Sequence, residues 1–315
     1  MSAPPLSPAR KHIRVDNTPL GITLMLGSVF LFSMMNVLIK ISTERYPVAE
    51  VTFFRNAFAL LPVALAITLQ GGWRFGLRTA RPWGHVWRSV IGLTSMSLTF
   101  WSFHLMPLAE AVALNFSAPL FLTALSVPFL KEKVGIHRWS AVLVGFVGVL
   151  IIVRPSGETL LHLGALVGLG AAFTQSFAMI AIRQLSATEP PNTIVFYFTL
   201  FTTILTALAL PFVWVTPAGL GDFAILVGIG LLGGCAQLLM TRAYSLAPAA
   251  VIAPFNYAAM LWAVIFGWLL WNDIPSSHMA IGASVVAASG LYILHRETRK
   301  RRPLNPPAAD PGGDD

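Results

Sequence analysis

Five amide side chains interrupt long apolar stretches of this chain and are its deepest uncharged polar groups. They are Asn36, Asn115, Gln175, Gln237 and Asn256. An amide both donates and accepts hydrogen bonds, so this set suits a carboxylate, an amine or the edge of a heteroaromatic ring. Amides also join neighbouring helices in lipid, and the residue types leave both roles open. They are therefore candidate binding groups for a small polar molecule, provided that the surrounding elements bring them together.

The composition identifies those surrounding elements. The chain has 315 residues, of which 56% are apolar and only 11% are charged, whereas a soluble domain has about 25% charged residues. Runs such as 142–153 and 223–232 do not alternate between apolar and polar residues as the strands of a membrane barrel do. Lipid offers no hydrogen-bond partners for backbone groups, so a spanning segment must be a helix or a strand of a closed barrel. With the barrel excluded, helices remain. We therefore predict an all-α membrane protein.

Gaps between charged residues predict ten membrane-spanning helices, each needing about 20 residues. The predicted spans lie near 20–39, 49–69, 86–105, 108–129, 138–153, 163–183, 193–213, 223–242, 249–271 and 278–295. With the N-terminus in the cytoplasm, seventeen Lys and Arg residues fall on the cytoplasmic side, and only Lys40, Arg45 and Arg154 fall on the opposite side. Cytoplasmic loops carry the excess of positive charge. Both termini are therefore predicted to be cytoplasmic, with disordered tails at 1–18 and 297–315.

The chain also repeats itself. An offset of 141 aligns LMPLAEAVALNF (105–116) with LAPAAVIAPFNY (246–257), and an offset of 143 aligns the first two spans with the sixth and seventh. Five spans per half is an odd number, so the halves cross the membrane in opposite senses. The loop KEKVGIHR is basic, whereas its counterpart NDIPSSHM has no Lys or Arg. We therefore predict two inverted five-helix repeats, 19–155 and 162–296, around a central cavity, as in many secondary transporters.

Three stretches resemble the EamA branch of the drug/metabolite transporter superfamily: VTFFRNAFALLP (51–62), residues 109–135 and residues 249–275. The resemblance covers nearly the whole chain apart from its tails. It implies a basket-like bundle whose third, fourth, eighth and ninth helices, with parts of the first and sixth, surround a cavity. Members of that family move amino acids, S-adenosylmethionine, riboflavin, sugars, nucleotide sugars and amino-acid-derived metallophores. Asn115 and Asn256 are the favoured binding residues, because they are repeat-related and fall in helices that line the family's cavity.

Other residues are candidates for stacking or bending. Trp101 and Tyr257 are the aromatic residues chosen for a stacking wall, although most aromatic residues at such positions face lipid. Pro119 and Pro254 each remove a helical hydrogen bond, so they predict either a hinge or a packed bend.

Charged candidates are expected in an outer vestibule. Arg55 lies inside the second span, where it either extends to the outer surface or pairs with a carboxylate or an anionic substrate. Glu50 and Glu110 lie near span ends and are expected as solvated carboxylates at the rim. His104 could titrate near neutral pH, or be an ordinary interfacial residue.

The function predicted from these features is transport of a small organic metabolite across the bacterial inner membrane by alternating access. The chain has no phosphate-binding G-x-x-x-x-G-K-[ST] motif, no hydrolase or zinc-protease motif and no metal-ligand spacing among its seven histidines, so we expect no ATP hydrolysis, cofactor or metal. Export of an amino-acid-like or amino-acid-derived compound, including a metallophore, is favoured. Uptake of riboflavin or S-adenosylmethionine is the alternative, and a membrane-embedded enzyme or scaffold is the third. The expected partners are the substrate and the bilayer, with the chain as a monomer or weak homodimer, and no nucleic acid, because its basic residues are not gathered on one face.

Overall fold

The computed structural model describes residues 17–69, 79–130, 135–153, 163–186, 188–189, 191–246 and 253–300, and this part of the chain is helical with no strand. The helices are α1 (Thr18–Thr43), α2 (Val48–Leu69), α3 (Pro82–Leu105), α4 (Leu108–Asn115), α5 (Ala118–Leu130), α6 (Ile136–Val153), α7 (Leu163–Leu185), α8 (Pro191–Val213), α9 (Leu220–Leu246), α10 (Ala258–Trp271) and α11 (Ser277–Lys300). A 3-10 helix, Ala253–Tyr257, leads directly into α10. The predicted loop KEKVGIHR and both predicted tails fall largely outside these described residues.

The order of the helices follows the ten predicted spans when α4 with α5, and the 3-10 helix with α10, are each counted as one interrupted span. Six described stretches are long and apolar enough to cross a membrane: Thr18–Thr43, Val48–Leu69, Leu108–Phe129, Leu163–Ile182, Thr193–Val213 and Leu220–Tyr244. Three shorter apolar helices accompany them. Helix α3 is not among either group, because it carries His85, Arg88 and four serines. The chain is therefore a multi-pass, all-helical membrane protein.

Several helices extend beyond the spans predicted from charge, and Lys40 shows why. The prediction ended the first span before Lys40, yet α1 continues to Thr43 and buries this side chain. Its Nζ donates hydrogen bonds of 2.9 Å to the carbonyl oxygens of Phe103 and Met106 at the end of α3, and it lies over the ring of Trp271. These carbonyls lack partners within their own helix. A charged residue that finds such partners continues a helix instead of ending it.

Two polar contacts tie loops together at opposite ends of the bundle. Between α1 and α2, the Tyr46 hydroxyl donates to Asp222 at 2.6 Å and accepts from the backbone N–H of Ala218 at 3.1 Å. Between α7 and α8, Glu189 accepts hydrogen bonds of 2.9 Å from the Thr79 hydroxyl and from the backbone N–H of Ala80.

Both contacts affect ionisation. The hydrogen bond to Asp222 raises the pKa of the Tyr46 hydroxyl. Burial raises the pKa of Glu189, but its hydrogen bonds and the neighbouring His85 together outweigh this and lower its pKa below the usual range. The Glu189 carboxylate is therefore stabilised in its charged form at this end of the bundle.

Candidate functional site

A cavity of about 780 Å³ lies in the centre of the bundle. Its walls come from α1, α2, α3, α4, α5, α7, α8, α9, the 3-10 helix, α10 and α11. Eight of the candidates named from the sequence line it: Asn36, Arg55, Asn115, Pro119, Gln175, Gln237, Asn256 and Tyr257. The cavity is within the size range of pockets that hold small organic ligands. All five deep amides therefore converge on one space, although they come from five separate segments of the chain.

The two interrupted spans place an asparagine at each interruption. Asn115 is the last residue of α4, and α5 begins three residues later at Ala118. Asn256 lies within the 3-10 helix that precedes α10. A break in a membrane helix is tolerated where it lines a cavity. The interruptions therefore place both asparagines, which the sequence offset of 141 aligns, at the cavity.

The structure describes the surroundings of Pro119 but not those of the Pro254 side chain. Pro119 is the second residue of α5, so its missing N–H falls in a first helical turn, where no intrahelical partner would exist. Pro254 is the second residue of the 3-10 helix, and its side chain lies outside the described set. Pro119 thus starts a helix after a break instead of breaking a continuous one.

Two of the amides also join helices. The Gln175 carbonyl oxygen accepts a hydrogen bond of 3.0 Å from the Ser95 hydroxyl, which links α7 to α3. The Asn256 amide nitrogen donates to the Tyr244 hydroxyl at 3.2 Å, which links the 3-10 helix to α9. In contrast, the Asn36, Asn115 and Gln237 side chains make no hydrogen bond with any other described residue. The amides of these three residues therefore have donors and acceptors left for water or a substrate.

Aromatic rings form part of the wall, but only one of the two predicted stacking residues belongs to it. The rings of Tyr257 and Phe116 stack with their centroids 4.6 Å apart and their planes at 19°. Trp101 does not line the cavity and is 40% exposed on the outer side of α3. It follows the cavity-lining Thr99 by two residues, or about 200° around the helix. Helical phase therefore turns Trp101 away from the site.

The charged candidates also divide into residues that line the cavity and residues that do not. Glu110 and His104 do not line the cavity. Glu50 was expected at a solvated rim but is fully buried, where one carboxylate oxygen accepts a hydrogen bond of 3.0 Å from the backbone N–H of Val215. Arg55 was expected in an outer vestibule, but it lines the central cavity.

Sequence reasoning missed a second cavity-lining arginine. Arg88 lies near the start of the predicted third span, 86–105, and is one of the seventeen charges counted on the cytoplasmic side. It lines the central cavity instead, and its guanidinium carbon lies 4.2 Å from the centre of the Phe198 ring. Arg88, Gly92, Ser95 and Thr99 recur every three or four residues, which places them on one helical face. The recurrence of Arg88, Ser95 and Thr99 at this spacing was the sequence signal that could have found it.

Comparisons with known proteins agree with this architecture. The model of the EamA-like transporter family matches residues 19–154 and 162–295. The chain is 30% identical over 285 residues to a riboflavin transporter of Vibrio cholerae, with 90% of this chain and 95% of the relative covered. It is 32% identical over 272 residues to the pseudopaline exporter CntI of Pseudomonas aeruginosa, covering 85% and 94%. An S-adenosylmethionine uptake transporter of Rickettsia bellii is 28% identical over 282 residues, covering 89% and 95%.

A solved crystal structure has the same fold. It superposes with a TM-score of 0.63 at 20% sequence identity, covering 90% of this chain and 100% of the other. The membrane-length helices, the central cavity and the family match all agree with the resemblance predicted from the sequence. The chain belongs to the EamA-like transporter family, within the drug/metabolite transporters, and is a metabolite transporter and not an enzyme.

Proposed function

We propose that this protein exports an amino-acid-derived metabolite across the bacterial inner membrane by alternating access, without hydrolysing ATP. The observation that carries the proposal is the convergence of five amides and the Phe116–Tyr257 stack on one cavity of about 780 Å³. Amides bind the ammonium and carboxylate groups of a zwitterion, while aromatic rings bind an apolar part. A metallophore built from amino acids combines these groups.

Alternating access requires two halves that can exchange conformations, and the packing supports the proposed repeats 19–155 and 162–296. Helix α1 packs against α9, and α3 packs against α7. The offset of 143 aligns α1 with α7, and the offset of 141 aligns α3 with α9. The contact between α1 and α9 therefore corresponds to the contact between α7 and α3.

A finer correspondence lies around two repeat-related glycines. A methyl group at Gly92 would contact Phe198, whereas a methyl group at Gly233 would contact Arg55. The offset of 141 relates the glycines, and the offset of 143 relates Arg55 to Phe198. Phe116 and Tyr257, which are also repeat-related, stack directly on each other. These contacts support an inverted arrangement in which Phe116 and Tyr257 lie near the exchange axis.

Uptake is the second candidate, because two of the relatives are named for riboflavin transport and for S-adenosylmethionine uptake. Both of those compounds carry a heteroaromatic ring, which the Phe116–Tyr257 stack and the amides could bind. The export hypothesis is supported in turn by the pseudopaline exporter, which is similarly related to this chain.

Transport in membrane vesicles distinguishes these candidates. Everted and right-side-out vesicles containing the protein should be assayed with amino acids, metal chelators derived from amino acids, riboflavin and S-adenosylmethionine. Accumulation of an amino-acid-derived compound in everted vesicles is expected, and vesicles without the protein provide the control. Accumulation only in right-side-out vesicles would replace export with uptake.

The proposed topology places both termini in the cytoplasm. A reporter fused after Arg302 should therefore read as cytoplasmic, and one inserted after Ile274, between α10 and α11, should read as periplasmic. The physical basis is the concentration of Lys and Arg on the side of the termini. Arg88, now placed inside α3, no longer contributes to that asymmetry. An external reading at Arg302 with a cytoplasmic reading at Ile274 would reverse the orientation.

A further inference from the structure

Two arginines reach the central cavity from opposite ends of the bundle. Arg55 lies about 10 Å along the axis of α2 from Val48, and Arg88 lies about 9 Å along α3 from Pro82. Because α2 and α3 are consecutive spans, these two helix starts belong to opposite membrane surfaces. Both side chains nevertheless line the same cavity. The two arginines therefore enter one cavity on helices that start at opposite membrane surfaces.

Neither arginine has a carboxylate partner among the described residues. Two ion pairs in that part of the chain join Arg45 to Asp222 and His85 to Glu189. The described residues that line the cavity include no Asp or Glu. A cation at such a depth usually pairs with an anion or faces a water-filled pathway. Here the positive charge of both side chains is left for whatever occupies the cavity.

The hydrogen-bonding groups of these side chains are also incompletely used. Arg55 Nη1 donates to Asn56 at 2.9 Å, but Arg55 Nε is buried and has no acceptor. Arg88 Nε and Nη1 are likewise buried without acceptors, and the face of this guanidinium lies on Phe198. A buried donor without an acceptor is costly. Stacking on Phe198 leaves the edge of the Arg88 guanidinium free to bind an anion in its own plane.

Small residues make room for both side chains. A methyl group at Gly92 would overlap Arg88 Nη1, and a methyl group at Gly233 would lie 3.4 Å from Arg55 Nε. These glycines are repeat-related, so each half of the chain accommodates one guanidinium group at an equivalent position. The absence of a side chain at each glycine therefore leaves space for a guanidinium group beside the cavity.

We propose that Arg55 and Arg88 bind an acid group of the substrate, a carboxylate or a phosphate, between them. This inference rests on the proposed transport function and narrows its substrate to an anionic or zwitterionic metabolite. An arginine fork matches the geometry of either oxyanion and remains charged within a membrane. Substrate binding supplies the negative charge that the cavity lacks, and the deep amides and the Phe116–Tyr257 stack then contact the rest of the molecule.

The test uses pairs of compounds that differ in one acid group. Riboflavin 5′-phosphate is compared with riboflavin, S-adenosylmethionine with its decarboxylated form, and phenylalanine with phenylalaninamide. Binding to the purified protein in lipid nanodiscs is measured from the shift in thermal unfolding midpoint. In at least one pair the acid form is expected to bind about tenfold or more tightly than its partner, as one charge-assisted contact would provide. Equal binding within every pair, or no binding by any acid form, overturns the proposal.

Substitutions test the residues themselves. Arg55→Gln and Arg88→Gln should each weaken binding of the acid form by about 10-fold to 100-fold and leave binding of the partner compound without the acid group nearly unchanged. Arg55→Lys and Arg88→Lys should recover part of the affinity, because they keep the charge but lose the fork. Arg45→Gln is the matched control, since it removes the same charge from a side chain that is 71% exposed. Preference for the acid form that survives both Gln variants contradicts the assignment.

Two further measurements separate this proposal from its alternatives. Without ligand, Arg55→Gln and Arg88→Gln should unfold at the same or a higher temperature, because each removes an unpaired buried charge. A lower midpoint in both would indicate that the arginines hold the fold, which would overturn the binding role. In vesicles, transport of a neutral compound without arginine dependence would refute the acid-group proposal alone. Arginine-dependent binding without any transport would refute the proposed function alone.

Discussion

Asn115→Ala and Asn256→Ala should each lower transport by about tenfold or more, while the amount of protein in the membrane stays unchanged. Each asparagine lies at an interruption of a spanning helix and lines the central cavity. Losing a hydrogen bond to a charged substrate group costs about 1.5–3 kcal/mol, and 1.4 kcal/mol corresponds to a factor of about ten. Initial transport rates in vesicles, normalised to the protein present, measure the effect.

The two variants differ in one useful respect. The Asn115 side chain makes no hydrogen bond with another described residue, whereas the Asn256 side chain donates to Tyr244. Tyr244→Phe removes that partner and keeps Asn256. Because the Tyr244 side chain also lines the cavity, a smaller loss of transport in Tyr244→Phe than in Asn256→Ala would assign the difference to Asn256 itself. Gln184→Ala is the control for truncating an amide, because Gln184 is exposed and does not line the cavity. Full activity in both asparagine variants would remove these residues from the transport pathway.

The deep amides could be found from the sequence because polarity at membrane depth is rare and costly. That argument needs only the length of each apolar run, and it selected five residues that reach one cavity. It could not assign Trp101, because the face of a helix that meets a cavity depends on how neighbouring helices pack around it. Periodicity gives relative angles along α3 but not the direction of the cavity.

Three charged residues were predicted at the surface but are buried in the structure. Lys40, Glu50 and Arg88 were placed at surfaces because ionised side chains usually lie in water. The structure buries Lys40 against carbonyl oxygens of α3, Glu50 against a backbone N–H and Arg88 against Phe198. Each of these partners is distant in sequence from the charged residue, so no local sequence pattern predicts the contact. The end of α1 was predicted too early for the same reason, because Lys40 lies within the helix.

The second large effect concerns the close approach of α9 to α2. Gly230→Ala should sharply lower the amount of folded protein, because the added methyl group would lie 2.7 Å from the backbone carbonyl oxygen of Phe54. A neighbouring backbone cannot move aside as a flexible side chain can. Overpacking of this kind costs about 1–3 kcal/mol. The thermal unfolding midpoint and the yield of monodisperse protein should both fall.

Gly228→Ala provides a matched control two residues away in the same helix. Its added methyl group would come no closer than 3.8 Å to any neighbour, the nearest being Leu38 Cδ1. Because alanine favours a helix over glycine by about 1 kcal/mol, this variant should be neutral or slightly more stable. Equal stability of the Gly228 and Gly230 variants would contradict the close packing of α9 on α2. A loss confined to Gly230 would indicate that α2 and α9 are held together by close backbone contact.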